Sequence, residues 1–99
     1  MIKAYASYFA SYLLYNLKSV SNIGKIILFG SVAKNEADKK SDVDIFIELK
    51  RKTKKFDKEI EKTLKDFYKS SEALVFRSKG VYNQISIITG RLNEWKELK

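Results

Sequence analysis

The sequence predicts an α/β fold in which one small mixed sheet of about four strands carries helices on one face. Two observations support this prediction: apolar residues recur every three or four positions in long segments, and short runs rich in β-branched residues lie between them. The chain has 99 residues. We therefore expect a single domain, residues 1–99, that buries roughly 60 to 65% of its unfolded surface.

The first twenty residues predict an amphipathic helix. Its apolar side chains recur at helical spacing, at Ile2, Tyr5, Phe9, Leu13, Leu17 and Val20. Because the segment lacks a long unbroken apolar stretch and an A-x-A-like cleavage site, we expect neither a signal peptide nor a membrane span, and a cytoplasmic protein. Tyr8 and Tyr15, on the other side, fit either a half-buried helix flank or a partner surface.

Two strands are expected next, joined through a short helix. The run KIILFG, residues 25–30, is short and rich in β-branched residues, and a helix is expected to start at Ser31. The run DVDIFIEL, residues 42–49, alternates between two faces. We predict that the helices cover the face of Val43, Ile45, Ile47 and Leu49, and that the opposite, open face carries Asp42, Asp44, Phe46 and Glu48.

The second half of the chain predicts two helices and two more strands. After the basic loop KRKTKK, residues 50–55, a helix places apolar side chains at Phe56, Ile60, Leu64 and Phe67. We expect a third strand in EALVFRS, residues 72–78, a fourth in NQISIIT, residues 83–89, and a closing helix in LNEWKELK, residues 92–99. With Ile85 and Ile87 facing the helices, Gln84 and Ser86 share the open face with the two aspartates.

The composition limits the chemistry. The sequence contains no cysteine and no histidine, which excludes disulfides, thiolate sites and imidazole catalysis and leaves hard, oxygen-binding metals such as Mg²⁺. The net charge of +8 favours phosphate-bearing partners, either nucleotides or nucleic acid. A lysine-rich and isoleucine-rich chain is also typical of thermophile proteins, whose charged surfaces serve stability.

The carboxylate pair, Asp42 and Asp44, and the Gly-Ser turn, Gly30 and Ser31, together indicate a nucleotide site. Two carboxylates side by side repel each other unless a cation lies between them, and Mg²⁺ takes one or two carboxylates together with substrate phosphates. At a strand-to-helix turn, glycine allows the backbone to approach a phosphate, free N–H groups face the anion, and Ser31 adds a hydroxyl donor. Each piece alone is common in ordinary surface strands and turns.

These residues resemble a known family. Gly30-Ser31, ten intervening residues and then Asp42-Val43-Asp44, with Ser41 before them and alternating apolar residues after, resemble the motif of the DNA polymerase β-like nucleotidyltransferase superfamily. The resemblance is to its minimal nucleotidyltransferase proteins, and it covers residues 24–49. It implies the polymerase β-like nucleotidyltransferase fold. Asn35 stands where many relatives have glycine, and asparagine tolerates a left-handed backbone.

The resemblance implies transfer of a nucleoside monophosphate, AMP from ATP, to a hydroxyl acceptor, with two Mg²⁺ ions held by carboxylates. Asp42 and Asp44 would be the catalytic metal ligands. The nucleotide would contact Gly30, Ser31, Ser41 and a lysine such as Lys34, and the resemblance does not decide among Lys34, Lys39 and Lys40. Related proteins commonly pair with a helical partner of the HEPN type, some as antitoxins, so a partner hydroxyl is an expected acceptor.

One departure from the family pattern bears on activity. Catalytic members place a third carboxylate on a later strand, where this chain offers Gln84 and Ser86, and Glu48 and Glu72 are the nearest acids by sequence. Without it the second metal site lacks a ligand and the acceptor lacks a general base. Two alternatives therefore stay open: a catalytically degenerate nucleotide-binding regulatory module, and, ranked behind it, a basic nucleic-acid-binding protein. The sequence does not determine the acceptor, the base preference or the oligomeric state, and a homo-oligomer is one of the open possibilities.

Overall fold

The computed structural model describes residues 1–38 and 40–91. Four helices, one 3₁₀ turn and three strands follow one another in this part of the chain. They are α1 (Ile2–Asn16), the 3₁₀ turn (Val20–Asn22), β1 (Ile23–Phe29), α2 (Gly30–Ala33), β2 (Val43–Leu49), α3 (Lys54–Tyr68), α4 (Ser71–Ser78) and β3 (Ile85–Gly90). The predicted closing helix, residues 92–99, lies outside the described residues.

The described strands form one mixed sheet in the order β1-β2-β3. β1 pairs antiparallel with β2, which brings Phe29 opposite Asp44, and β2 pairs parallel with β3, which brings Asp44 beside Ser86. The last residues of β1 and the first residues of β2 and β3 therefore lie at the same end of the sheet. This arrangement confirms the predicted α/β class, with three strands rather than about four in the described residues.

The predicted third strand, residues 72–78, is wrong, because this segment lies in helix α4. The Ser70 side chain accepts a hydrogen bond from the Ala73 N–H (3.2 Å) and begins the helix. Ala73 is buried while Leu74 and Val75 are about half exposed, so burial does not alternate along the segment. A short apolar run does not distinguish a strand from a helix by pattern alone, and here the serine cap favours the helix.

The core lies between the sheet and the helices on one face. The predicted inner side of β2 is confirmed, since Val43, Ile45, Ile47 and Leu49 are all buried. Helix α1 covers this face with Tyr5, Phe9 and Leu13, and an edge-to-face contact joins Phe9 to Phe67 of α3 (ring centroids 5.2 Å apart). In the described part of the chain no helix is long and apolar enough to cross a bilayer.

The opposite face of β2 is only partly open. Asp42 is exposed and Asp44 is intermediate, as expected, but Phe46 is fully buried (0% exposed). The expectation that this face is open along its whole length is therefore wrong at Phe46. A large aromatic side chain in the middle of a sheet gains free energy from burial, and strand alternation alone does not reveal what covers it.

Candidate active site

The carboxylate pair lies at the start of β2. Asp42 immediately precedes the strand and is exposed, while Asp44 is its second residue and is intermediate in exposure. Burial raises the pKa of the Asp44 carboxyl above its ordinary value, and the negative charge of Asp42 raises it further. The two carboxylates thus interact unfavourably when no cation is bound, which is the electrostatic condition of a metal site.

Gly30 brings the Gly-Ser turn into contact with this pair. Its backbone is left-handed (φ +74°), a conformation that other residues adopt only with strain. A Cβ atom at this position would collide with Asp44 Oδ2, so the Asp44 carboxylate lies directly over the Gly30 Cα. The structure therefore brings together the glycine and the aspartate that the sequence predicted for one site, and both features require glycine at position 30.

Ser31 is not a helix cap. Phe29 occupies the N-cap position of α2 without any side-chain capping bond, and the Ser31 C=O accepts a hydrogen bond from the Glu36 N–H (2.8 Å). The Ser31 hydroxyl makes no hydrogen bond to any other described residue. Since α2 is a single turn of four residues, its dipole adds little, and the groups of this turn that could donate to an anion are the Ser31 hydroxyl and the backbone N–H groups.

The lysines suggested for the phosphates lie after this turn. Lys34 caps the end of α2 and is exposed, and the next residue, Asn35, has a left-handed backbone (φ 60°). This φ agrees with the expectation that asparagine tolerates a left-handed backbone at this position. Lys40 is exposed and its backbone N–H donates to Asp38 Oδ1 (2.8 Å), whereas Lys39 lies outside the described residues.

Ser41 and two residues that the sequence analysis missed hold the loop before Asp42. The Ser41 hydroxyl donates to Asp38 Oδ1 (3.2 Å) and accepts from the Asp38 N–H (3.0 Å). Buried Asn83 donates to the C=O groups of Asp38 (2.9 Å) and Ser41 (2.6 Å). The hydrogen bond from the Lys40 N–H, followed by that from Ser41, lowers the pKa of Asp38. The D-x-x-S spacing is typical of such a turn and could have indicated Asp38; nothing local marks Asn83.

Of the two positions suggested for the third carboxylate, the structure favours Ser86. Ser86 is the register partner of Asp44 on β3, so both side chains emerge from the same face at neighbouring positions. Gln84 precedes β3, and its C=O accepts a hydrogen bond from the Val43 N–H (2.8 Å). Gln84 is exposed, and the strand register continues with Gln84 beside Asp42 rather than beside Asp44.

The other acids do not complete the site. The Glu48 carboxylate lies over Gly24, near the far end of β1, and Glu72 accepts a hydrogen bond from the Ser71 hydroxyl (3.3 Å) at the start of α4. Among the described residues no group of three or more metal-ligating side chains comes together. The carboxylate pair fits one Mg²⁺ ion, which needs only one or two protein carboxylates beside phosphate oxygens.

Tyr68 is a further neighbour of the site that sequence reasoning missed. Its hydroxyl oxygen accepts a hydrogen bond from the Ile85 N–H (2.8 Å), so the end of α3 is fixed to the start of β3. Burial raises the pKa of Tyr68; the hydrogen bond from Ile85 opposes this, and the negative charge of Asp42 adds to it. Tyr68 therefore stays protonated at neutral pH, within electrostatic range of the carboxylate pair.

The chain matches the nucleotidyltransferase domain family over residues 11–93. This match includes α2, the carboxylate pair and β3, and it spans far more than half of the chain, so the chain belongs to this family. The resemblance to minimal nucleotidyltransferases of the polymerase β-like superfamily, drawn from residues 24–49, is confirmed. Searches of curated proteins and of solved structures gave no significant match.

Proposed function

We propose that this chain binds ATP with Mg²⁺ at the carboxylate pair and transfers AMP to a hydroxyl acceptor. Membership of the nucleotidyltransferase family supports nucleotidyl transfer as the class of reaction. The observation that carries the proposal is the position of the Asp44 carboxylate over left-handed Gly30, because it joins a metal ligand to the phosphate-binding turn. Mg²⁺ bound by a carboxylate has open positions for phosphate oxygens, which the turn would hold nearby.

Each residue then has a defined role. Asp42 and Asp44 hold Mg²⁺, which when bound polarises the phosphates and neutralises their charge. Gly30 admits the phosphate close to the backbone, and the free Ser31 hydroxyl donates to a phosphate oxygen. Exposed Lys34 offsets phosphate charge, and Ser41 keeps the loop before Asp42 closed through Asp38.

The acceptor hydroxyl is proposed to come from outside the chain. The family resemblance favours a HEPN-type helical protein as its source, with this chain acting as the antitoxin that adenylylates it. The test is incubation of the chain with Mg²⁺, labelled ATP and a HEPN-type protein, taken from the neighbouring reading frame where that frame encodes one. Label on that protein, lost in Asp44→Asn, is the expected result; label retained by Asp44→Asn would contradict the assigned site.

Nucleotide binding is tested separately by calorimetric titration. We expect ATP to bind the parent in Mg²⁺ and to lose at least tenfold in affinity when the metal is chelated. Asp42→Asn and Asp44→Asn should each reduce Mg²⁺-dependent affinity to the chelated level while the protein stays folded. Glu48→Gln, which removes a carboxylate from the same strand at its far end, is the matched control and should bind as the parent does.

A second function, a nucleotide-binding regulatory module without turnover, is favoured by one observation. The position beside Asp44 on β3 is a serine, and the described residues hold no group of three acids. Such a module binds MgATP but does not release pyrophosphate. A pyrophosphate assay on the parent with its acceptor separates the two functions, since release supports transfer and silence with intact binding supports the module.

A further inference from the structure

A cavity of about 400 Å³ opens beside the start of β3, on the flank away from β1. Its volume is that of a small-ligand site. The end of α3, helix α4 and the segment before β3 form its walls, and its polar lining comprises Glu61, Lys65, Tyr68, Arg77, Tyr82 and Gln84. None of the roles assigned to the nucleotide uses these side chains.

The strand order places this cavity opposite the phosphate-binding turn. The turn follows β1, the carboxylate pair begins β2, and the cavity adjoins the first residues of β3, so the pair lies between the turn and the cavity. In an in-line displacement the attacking and leaving oxygens lie on opposite sides of phosphorus. If the β and γ phosphates occupy the turn, approach of the acceptor from the side of the cavity satisfies this in-line geometry. This step rests on the proposed function.

The lining indicates the charge of the acceptor. Lys65 and Arg77 supply two positive charges against the single carboxylate of Glu61. The Arg77 guanidinium lies over the Tyr82 ring, 5.8 Å from its centroid, which orients its N–H groups while leaving them able to bind an anion.

Tyr68 adds a hydrogen-bond donor to this cavity. Because its oxygen already accepts from the Ile85 N–H, its own proton is directed elsewhere, and it has no acceptor among the described residues. Burial raises its pKa, so the hydroxyl keeps that proton at neutral pH. A protonated phenol beside two cations is suited to an anionic ligand.

We propose that this cavity is the acceptor subsite and that it takes a hydroxyl compound carrying a phosphate or carboxylate group close to the accepting hydroxyl. The acceptor oxygen forms a bond to the α-phosphorus, the bond to the pyrophosphate oxygen breaks, pyrophosphate leaves with the electron pair, and the hydroxyl proton passes to water. Cationic acceptors are disfavoured by Lys65 and Arg77. A nucleic acid backbone would need an extended basic stripe, whereas this cavity has a net charge near +1 from its three ionised side chains.

Binding of matched probes to the full chain with MgATP tests the proposal. The anionic probes are glycerol 3-phosphate and a tyrosine peptide flanked by glutamates; the neutral controls are glycerol and the same peptide flanked by glutamines. We expect at least one anionic probe to bind roughly tenfold more tightly than its control. The probe that does so identifies the source as a free phosphorylated compound or an acidic protein segment.

Variants locate the binding. Arg77→Gln and Lys65→Gln should each lower the affinity for the anionic probe by roughly five- to tenfold. Glu61→Gln, on the same helix as Lys65, should raise this affinity. Tyr68→Phe should also lower the affinity for the anionic probe. Because this variant loses the hydrogen bond from the Ile85 N–H, thermal melting is used to check that it stays folded. Arg77→Gln, Lys65→Gln and Glu61→Gln should bind MgATP within about twofold of the parent, because none of these three side chains contributes to the nucleotide site.

Two results would overturn the proposal. One is equal binding of anionic and neutral probes; the other is binding of a short single-stranded oligonucleotide, lost in Arg77→Gln, while neither anionic probe binds. Titration of MgATP in the same samples separates the two proposals. If MgATP binds and probe selectivity is absent, only the acceptor subsite is refuted; if the parent does not bind MgATP, the proposed function fails and the subsite fails with it.

Discussion

The two ends of the β1–β2 pair carry the same contact with different consequences. At one end the Asp44 carboxylate lies over Gly30, and at the other the Glu48 carboxylate lies over Gly24. Both acids are on β2 and both side chains emerge from the same face of the sheet. They are four positions apart, about 13 Å along the strand. A carboxylate packed over a glycine is therefore not sufficient to define the site.

The difference lies in the backbone and in the neighbours. Gly30 is left-handed and is followed by Ser31, whose hydroxyl has no partner among the described residues, and Asp42 lies within electrostatic range of Asp44. Gly24 lies within β1 at a shift in register, its N–H and C=O belong to a strand, and Lys25 follows it. Only the first end combines cation-binding and anion-binding groups, which is what a metal-bound phosphate requires.

The largest effect is expected from adding a third carboxylate at the end of the sheet that carries Asp42 and Asp44. Ser86→Asp places a carboxylate next to Asp44, and we expect transfer of AMP to a hydroxyl acceptor to rise by roughly 10²- to 10⁴-fold, the range typical of a general base. Transfer is measured from labelled ATP at saturating Mg²⁺. Ser86→Asn has nearly the same shape without the charge and should give no gain, and Gln84→Glu should gain less because Gln84 precedes the strand.

Parent protein that transfers AMP as fast as Ser86→Asp would contradict this view of the site. So would a lack of gain from Ser86→Asp with MgATP binding intact. The first result would mean that an acid outside the described carboxylate pair acts as the base, and the second would favour the regulatory module.

A glycine series tests the comparison directly. Gly30→Ala forces a left-handed alanine and pushes its Cβ into the Asp44 carboxylate, so we expect a loss of about 1 to 3 kcal/mol in unfolding free energy and loss of MgATP binding. Gly80→Ala is also left-handed but meets no atom within 4 Å, so it isolates the backbone cost, about 1 kcal/mol. Gly24→Ala displaces only the movable end of Glu48.

Denaturant unfolding and MgATP titration of the three variants give the answer. Gly80→Ala and Gly24→Ala should bind nucleotide as the parent does. If Gly24→Ala abolished binding as fully as Gly30→Ala, the two ends of the β1–β2 pair would be functionally equivalent and the site assignment would be wrong.

Removal of the Ser31 hydroxyl should have a smaller effect confined to the ligand. Because this hydroxyl caps no helix and has no described partner, Ser31→Ala should leave the unfolding free energy within about 0.5 kcal/mol of the parent. MgATP affinity should fall by about 1 to 3 kcal/mol, the cost of a lost hydrogen bond to a charged group. Calorimetry and thermal melting measure the two quantities, and unchanged affinity would show that phosphate does not contact Ser31.

The smallest effect is a pH dependence of stability in the ligand-free protein. The pKa of Asp44 is raised above its ordinary 3.8, so its favourable contribution is complete below pH 3.8 and is lost as pH rises through the folded-state pKa. Asp44→Asn should therefore be more stable than the parent at pH 7, by at most about 1 kcal/mol because water screens the carboxylate, and the gain should vanish below pH 3.8.

Asp38→Asn should change the unfolding free energy at neutral pH in the opposite direction to Asp44→Asn, in the same experiments. The pKa of Asp38 is lowered, so its contribution to stability is present above its ordinary value and is lost as pH falls through the folded-state pKa. Asp38→Asn should be less stable than the parent at neutral pH. A loss for both variants at pH 7 would show that the net positive charge of the chain, which each substitution raises by one from +8, sets the trend rather than the local environment of Asp44.

The sequence by itself determined the local features of this protein. The spacing of Gly30-Ser31 and Asp42-Val43-Asp44, the alternation along β2 and the helical spacing of α1 lie within short segments, and such patterns follow from backbone geometry alone. They were sufficient for the α/β class, the inner face of the sheet and the family. The left-handed backbone at Asn35 was also predictable, since few residue types adopt it.

The tertiary structure decided what depends on neighbouring segments. Residues 72–78 are too short for their pattern to distinguish a strand from a helix, and the cap by Ser70 and packing on the core made them α4. Strand register, which no single segment contains, placed Ser86 rather than Gln84 beside Asp44. The positions of Asn83 and Tyr68 depend on hydrogen bonds across 45 and 17 residues, respectively, because long-range contacts form only when the whole sheet and its helices have assembled.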